Sequence, residues 1–117
     1  MGIGYRVIVR PALRVQDSEK AHGRALMMLR FLSANPLTRG MLSLLYRPRK
    51  KLTVKCFGQT YNHPFGNAAG LDKRAEALRG WEAIGLSFIE IGGVTEHEQE
   101  GNPKPRMFRA SSSLSLV

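Results

Sequence analysis

The sequence predicts an α/β chain in which short helices precede a parallel strand–helix–strand unit. Three observations predict it. Two short apolar runs, Phe65–Ala69 and Phe88–Ile91, flank a helical segment, Ala75–Ile84, that Gly85 closes. Upstream, residues 5–46 carry apolar side chains three or four apart, the spacing of amphipathic helices. Between the two parts lies Arg47-Pro48-Arg49-Lys50-Lys51, a basic linker that contains proline. Two strands and a helix within 27 residues, from Phe65 to Ile91, form a crossover connection, so the strands run parallel. The functional groups of such a unit are expected just past the C-terminal ends of its strands.

From the N-terminus, Tyr5–Leu13 sets Arg6, Arg10 and Arg14 at four-residue intervals along one side of a helix, with Ile8, Val9, Ala12 and Leu13 on another. Pro11 limits its regularity. Asp17 or Ser18 caps a second helix, whose stripe is Ala21, Ala25, Leu29 and Leu32, widened by Leu26, Met27, Met28 and Phe31. Asn35-Pro36 ends it and starts a third, with Asn35 as cap and Pro36 in the first helical position. Leu37, Met41, Leu44 and Leu45 form the apolar face of this helix, which ends near Arg47-Pro48. Beyond the linker, Leu52–Phe57 and Gln59–Tyr61 alternate around Gly58 as a small hairpin that Asn62-His63-Pro64 closes. Phe65–Ala69 and Phe88–Ile91 are expected as buried strands.

Charge divides the chain unevenly. Of the net +9, residues 1–55 contribute +10, twelve Lys/Arg against Asp17 and Glu19, and the remainder contributes −1. An excess of this kind suits an anionic partner, a lipid surface or a nucleic acid, or else coats solvated helix faces. The helices likewise carry two readings. Their Leu/Met faces form a helical mini-core, or they dip into a bilayer boundary while Arg and Lys meet anionic head groups. A nucleic-acid role lacks interleaved aromatics or a recognisable module. Cys56, the one cysteine, allows no internal disulfide and no metal cluster of its own, and is expected as a small core residue in a reducing compartment. No secretory signal is expected, and no run reaches the ~18 apolar residues of a spanning helix.

The chemistry is expected after the strands. Ala69-Gly70-Leu71-Asp72-Lys73 follows the first, and its small residues let a planar ligand approach the backbone. Lys73, at the strand-to-helix turn, supplies a cation for a substrate carboxylate or a reduced cofactor. Gly92-Gly93 clears space after the second strand, and Thr95 adds a hydroxyl. Taken singly, each is more often a plain turn or a surface lysine.

Together, FGQTYNHPFGNAAGLDK and EALRGWEAIGLSFIEIGGVTEHEQEGNPKPRMFR resemble the N-terminal part of dihydroorotate dehydrogenase. DSEKAHGRALMMLR is similar to the helical extension of its membrane-associated, quinone-dependent class. The resemblance runs from Tyr5 to Arg109. It implies an (α/β)8 TIM barrel with FMN at the C-terminal ends of the strands. It also implies oxidation of dihydroorotate to orotate, by proton removal and hydride transfer to the flavin, with a membrane quinone as electron acceptor in pyrimidine biosynthesis. By matching positions, Ala69, Gly70, Leu71, Asp72, Lys73 and Gly93 would hold FMN, and Lys73 would also bind substrate. His22 and Arg109 would line the quinone tunnel. Residues 1–47 would form the membrane-associating extension, 48–64 the basic linker and barrel-bottom hairpin, and 65–117 the first β-α-β unit. The implied location is the cytoplasmic face of a bacterial inner membrane, or the mitochondrial inner membrane in a eukaryote, with an anionic lipid surface and no nucleic acid as partner.

The pattern departs from the family at three places. Gly93 stands where Thr or Ser is usual, removing one hydroxyl hydrogen bond. Glu96-His97-Glu98-Gln99 replaces a Pro-x-Pro-Gln loop, and Arg74-Ala75 replaces a polar residue and Gly. The family's Asn-Arg-Met-Gly-Phe stretch and its serine base would lie past Val117, so no catalytic residue is expected within the chain and the chain alone is expected to be inactive. The alternative is a basic module that binds membrane or nucleic acid through residues 1–55.

Overall fold

The computed structural model describes Ile3 and residues 5–50, 52–110 and 115–116. The chain divides into two compact units, Leu26–Val94 and a second made of Met1–Ala25 with Thr95–Val117.

In the second unit, Tyr5–Val9 winds as a π-helical turn and passes into α1 (Arg10–Arg14), with Pro11 in its first turn. The single helix expected over Tyr5–Leu13 is thus two differently wound segments. Proline brings no backbone N–H to an i→i−4 ladder, and the first turn of a helix is where that loss costs nothing. Helix α2 (Ser18–Ala34) begins as expected, with Asp17 Oδ1 accepting the Lys20 N–H at 2.9 Å. Its first residues belong to this unit, where Ser18 and Ala21 are buried. Glu19 meets Lys104 at 3.3 Å and Arg106 at 3.2 Å, tying the GNPKPR loop to the start of α2. Arg106 also donates to the carbonyls of Glu100 and Asn102 around Gly101, whose φ is +78°.

The unit Leu26–Val94 carries the crossover. Helix α3 (Pro36–Tyr46) opens as expected, with Asn35 Oδ1 accepting the Leu37 N–H at 2.8 Å and Pro36 in the first turn. Strands β1 (Val54–Cys56) and β2 (Gln59–Tyr61) form an antiparallel hairpin in the register Val54↔Tyr61, Cys56↔Gln59. Its two-residue turn places Phe57 at φ +49° and Gly58 at φ +74°, the left-handed pair that matches strand twist. Cys56 is exposed, not a core residue: it sits on β1, a strand exposed at all its positions, so the thiol has no core to enter there.

Strands β3 (Gly66–Asn67) and β4 (Phe88–Ile89) pair in parallel, Gly66↔Phe88 and Asn67↔Ile89, around α4 (Leu78–Ala83). The predicted crossover is present with shorter elements. The helix begins at Leu78, three residues later than the expected Ala75, because the preceding residues turn around the Asp72 carboxylate. It ends in a Schellman motif, with Gly85 N–H to Glu82 O at 2.9 Å, Leu86 N–H to Trp81 O at 3.0 Å and Gly85 at φ +98°.

Packing in this unit uses small residues. Ala77 and Ala83 are buried, and α3 packs against α4. A Cβ on Gly80 would run into the Leu29 side chain, and one on Gly66 into the Phe88 ring, so both glycines permit close approach. His63, buried before β3, has its Nε2 on the Gly85 carbonyl and its Nδ1 accepting the Phe65 N–H at 3.3 Å. Those partners assign the Nε2–H tautomer, which pins the start of β3 to the end of α4. The strands are buried on one side only. Asn67 is 4% exposed, but Phe88 is 43% exposed beside an exposed Gly66, which corrects the expectation of buried strands.

In the other unit, strands β5 (Arg109–Ala110) and β6 (Ser115–Leu116) form an antiparallel pair. No helix among the described residues is long and apolar enough to cross a membrane.

Candidate functional site

The site residues of the crossover unit sit where a parallel sheet leaves its strand ends open. After Asn67 the chain turns, with Leu71 N–H on the Ala68 carbonyl at 3.1 Å, and then reverses again, with Ala75 N–H on the Asp72 carbonyl at 3.1 Å. Ala75 makes this second reversal at φ +56°, in the left-handed region. The neighbouring β4 segment donates along the same edge. Ser87 N–H reaches Phe65 O at 3.0 Å, Glu90 N–H reaches Asn67 O at 2.9 Å, and Gly92 N–H reaches Lys73 O at 3.1 Å. The backbone after β4 is thereby stitched to the backbone after β3.

Space at these strand ends is uneven. A Cβ on Gly70 or on Gly93 would meet nothing within 4 Å, whereas one on Gly92 would stand 2.9 Å from the Lys73 carbonyl oxygen and 3.1 Å from Lys73 Cβ. Gly92 is therefore the seat of Lys73, and Gly70 and Gly93 are open backbone. Ala69 is half-buried, while Gly70, Leu71 and Lys73 are exposed. Among the described residues nothing hydrogen-bonds or ion-pairs with the Lys73 ammonium group, which leaves it as a donor and a positive charge beside this open backbone.

Asp72 is placed differently. It is fully buried, and its carboxylate accepts from Glu76 N–H (Oδ1, 2.9 Å), Ala77 N–H (Oδ2, 2.9 Å) and the Trp81 indole Nε1–H (Oδ2, 2.9 Å). An ionised carboxylate is tolerated inside a protein only with such partners. Its side chain thus serves the turn into α4, and only its backbone lies along the exposed loop. Asn67, on the buried side of β3, leaves its Nδ2 without a hydrogen-bond partner among the described residues.

Trp81 was not singled out by the sequence, and Gly92 was read there only as half of a pair that clears space. The signal for Gly92 was present in the Gly92-Gly93 pair, but spacing could not say which glycine meets Lys73. For Trp81 the clue was an Asp four and five residues ahead of the N–H groups that open a helix, a capping pattern in which an indole nine residues on is not foreseeable.

The other two predicted residues lie in the second unit. His22 is half-buried on α2. The Arg109 guanidinium donates to the carbonyls of Leu13 and Arg14 at the end of α1, where the helix leaves its last carbonyls unsatisfied and its dipole favours a cation.

A family model described as dihydroorotate dehydrogenase matches residues 51–116. The chain belongs to the dihydroorotate dehydrogenase family. Among its relatives, the dihydroorotate dehydrogenase (quinone) of Gloeobacter violaceus is 46% identical over 114 residues, covering 97% of this chain and 32% of the relative. That of Natronomonas pharaonis is 39% identical over 115 residues, covering 98% of this chain and 33% of the relative. The crystal structure of a dihydroorotate dehydrogenase from Eimeria tenella, solved in complex with ferulenol, superposes with a TM-score of 0.63 at 35% identity. It covers 80% of this chain and 23% of that one. The chain therefore spans about a third of the length of the relatives it matches. With the family goes the fold class: β3, α4 and β4 are a strand–helix–strand portion of an α/β barrel enzyme.

Proposed function

We propose that this chain supplies the quinone-access helices and one wall of the flavin site of a quinone-dependent dihydroorotate dehydrogenase. The observation that carries the reading is the joining of two strand ends. The backbone of Gly92 is bonded to that of Lys73, and open glycine backbone at Gly70 and Gly93 lies on the loops that follow β3 and β4. Such a surface fits FMN, because a flat ring system needs backbone without side chains in front of it. FMN held there would supply hydride and electron transfer between dihydroorotate and a quinone.

In this reading Ala69, Gly70, Leu71 and Gly93 offer backbone to the flavin, and Asp72 contributes through its backbone. Lys73 brings the positive charge. Its ammonium group holds the substrate carboxylate and favours negative charge on the reduced flavin. Gly93 offers no side-chain hydroxyl, so one hydrogen bond to the flavin is absent and affinity is lower than in a Thr or Ser homologue. Among the described residues none is assigned the role of the base that removes the substrate proton, and in this reading the chain by itself does not turn over dihydroorotate.

Residues 1–47 act as the membrane-associating part, 48–64 as linker and hairpin, and 65–117 as the flavin-facing part. His22 and Arg109 line the quinone path. The exposed face of α3, with Leu37 at 81% and Leu44 at 80% exposure, supports contact with the bilayer boundary, and the basic excess of residues 1–55 supports anionic head groups there. The protein is peripheral to the cytoplasmic face of a bacterial inner membrane and works in pyrimidine biosynthesis.

A chimera tests this. Residues 1–110 joined to the remaining two thirds of the Gloeobacter violaceus relative are expected to purify yellow and to reduce a soluble quinone with dihydroorotate. Lys73→Ala in that chimera is expected to lower turnover by about a hundredfold or more, the scale of losing a charged group that acts in the transition state. A folded but colourless chimera, or full turnover in Lys73→Ala, would defeat the reading.

A further inference from the structure

We propose that Asp72 and Trp81 are positioning residues that hold the Lys73 backbone against Gly92, so that the lysine ammonium group is presented from a fixed base. The role given to Lys73 rests on the flavin reading above. The mechanical claim stands on the geometry alone.

The Lys73 side chain is exposed, and among the described residues no hydrogen bond or ion pair holds its charged end. Its placement must come from its backbone. One anchor follows it in space, the Gly92 N–H on the Lys73 carbonyl at 3.1 Å, and this anchor is so close that a Cβ on Gly92 would stand 2.9 Å from that oxygen. The other anchor precedes it in sequence. Asp72 is fully buried and holds three donors at 2.9 Å, two from the backbone that leads into α4 and one from the indole of Trp81 within α4. Left-handed Ala75 turns the chain back so that the Glu76 and Ala77 N–H groups face the carboxylate.

The two anchors flank one residue. Releasing Asp72 would free the loop to move, and the hydrogen bond from Gly92 to the carbonyl of the next residue, Lys73, would loosen with it. An aspartate that merely caps a turn would need only the two backbone donors. The indole adds a link to the body of α4, which a cap does not require and a rigid base for Lys73 does.

The test uses the 117-residue chain labelled with nitrogen-15. Trp81 is the single tryptophan, so one indole N–H resonance reports its bond to Asp72. Trp81→Phe keeps an aromatic ring while deleting the N–H donor, and Asp72→Asn keeps one acceptor oxygen and removes the charge. In both variants hydrogen exchange at the Gly92 amide is expected to speed up by about tenfold or more, the ratio that corresponds to losing one hydrogen bond to a charged group. Exchange in α3 and in the β1–β2 hairpin is expected to stay as it was. Unchanged protection at Gly92 in Trp81→Phe would overturn the proposal, even if Asp72→Asn failed to fold.

A second measurement uses the chimera described above and follows flavin fluorescence as FMN is added. Trp81→Phe is expected to weaken binding, and to weaken it no further in a chimera that already carries Lys73→Ala, because the indole acts through the lysine. Additive losses would overturn the proposal. A parent chimera that binds no FMN counts against the flavin reading, and the Gly92 exchange result then decides the positioning role by itself.

Discussion

Ala75 holds φ +56°, a conformation in which the Cβ of an L-residue crowds the following carbonyl. The turn needs it there, because Asp72 can collect the Glu76 and Ala77 N–H groups only if the chain doubles back. Glycine, the residue that the family resemblance leads one to expect in the Arg74-Ala75 pair, would take the same turn without that crowding. Ala75→Gly is therefore expected to stabilise the chain by about 1 kcal/mol, the reverse of the loss seen when alanine replaces a left-handed glycine. Urea titration of the variant beside the parent checks it, and a lower midpoint would contradict the assignment of strain. At this scale the sequence was only partly legible. Gly70, Lys73 and Gly93 announce themselves as small or charged residues after a strand, and in the chain they follow β3 and β4. Asp72 reads identically on paper, yet its carboxylate faces inward, because burial depends on donors brought round by a turn whose shape the residue types do not encode.

At the scale of elements, the ends were easier to foresee than the interiors. Asn35 and Gly85 work through bonds to residues two or three positions away, so the local sequence suffices to place them. Asn35→Ala is expected to cost about 1 kcal/mol through loss of the cap. Gly85→Ala is expected to cost more, since its φ of +98° is strained for alanine and the added Cβ would run into Pro48 and stand 3.1 Å from Arg47 Cα. Circular dichroism melts rank the two, and an equal or smaller loss at Gly85 would contradict the close packing there. Strand length was less legible. Phe65–Ala69 and Phe88–Ile91 are mostly apolar, interrupted only by Asn67 and Glu90, but a ladder lasts only while both chains stay extended, and the turn toward Leu71 ends the pairing after Asn67. Apolar runs announce that a strand exists and say little about where its partner leaves it.

For the whole molecule, the balance of buried and exposed groups is the informative quantity. Among the described residues the buried apolar side chains are alanines, while Met27, Met28, Phe31, Leu37, Met41, Leu44 and Leu45 are more than half exposed. Exposed apolar side chains in that number suit a docking or membrane face, or are a source of aggregation. With the basic excess of the first 55 residues, an anionic bilayer is the expected counterpart. Co-sedimentation with vesicles rich in phosphatidylglycerol is expected for the parent, with a decline as salt rises and a loss of several-fold or more in Leu44→Glu, roughly the cost of putting a charge on a bilayer-facing helix position. Binding indifferent to Leu44→Glu would remove α3 from the interface, and tight, salt-steep duplex DNA binding without vesicle binding would favour the basic-module alternative instead. The charge asymmetry was fully legible in the sequence. That the Leu/Met faces stay uncovered within these residues was not, since the same spacing builds an inward or an outward face.

The solvent-facing thiol on β1 has a practical consequence. Cys56 is the one cysteine and Trp81 the one tryptophan, and both belong to the unit Leu26–Val94. A maleimide dye goes to a single place, and the indole is a single donor, so energy transfer between them is a ruler that nature has already installed. Without any substitution, it reads the span from the hairpin to α4 and registers the moment at which a titrated flavin, a vesicle or a longer polypeptide changes it.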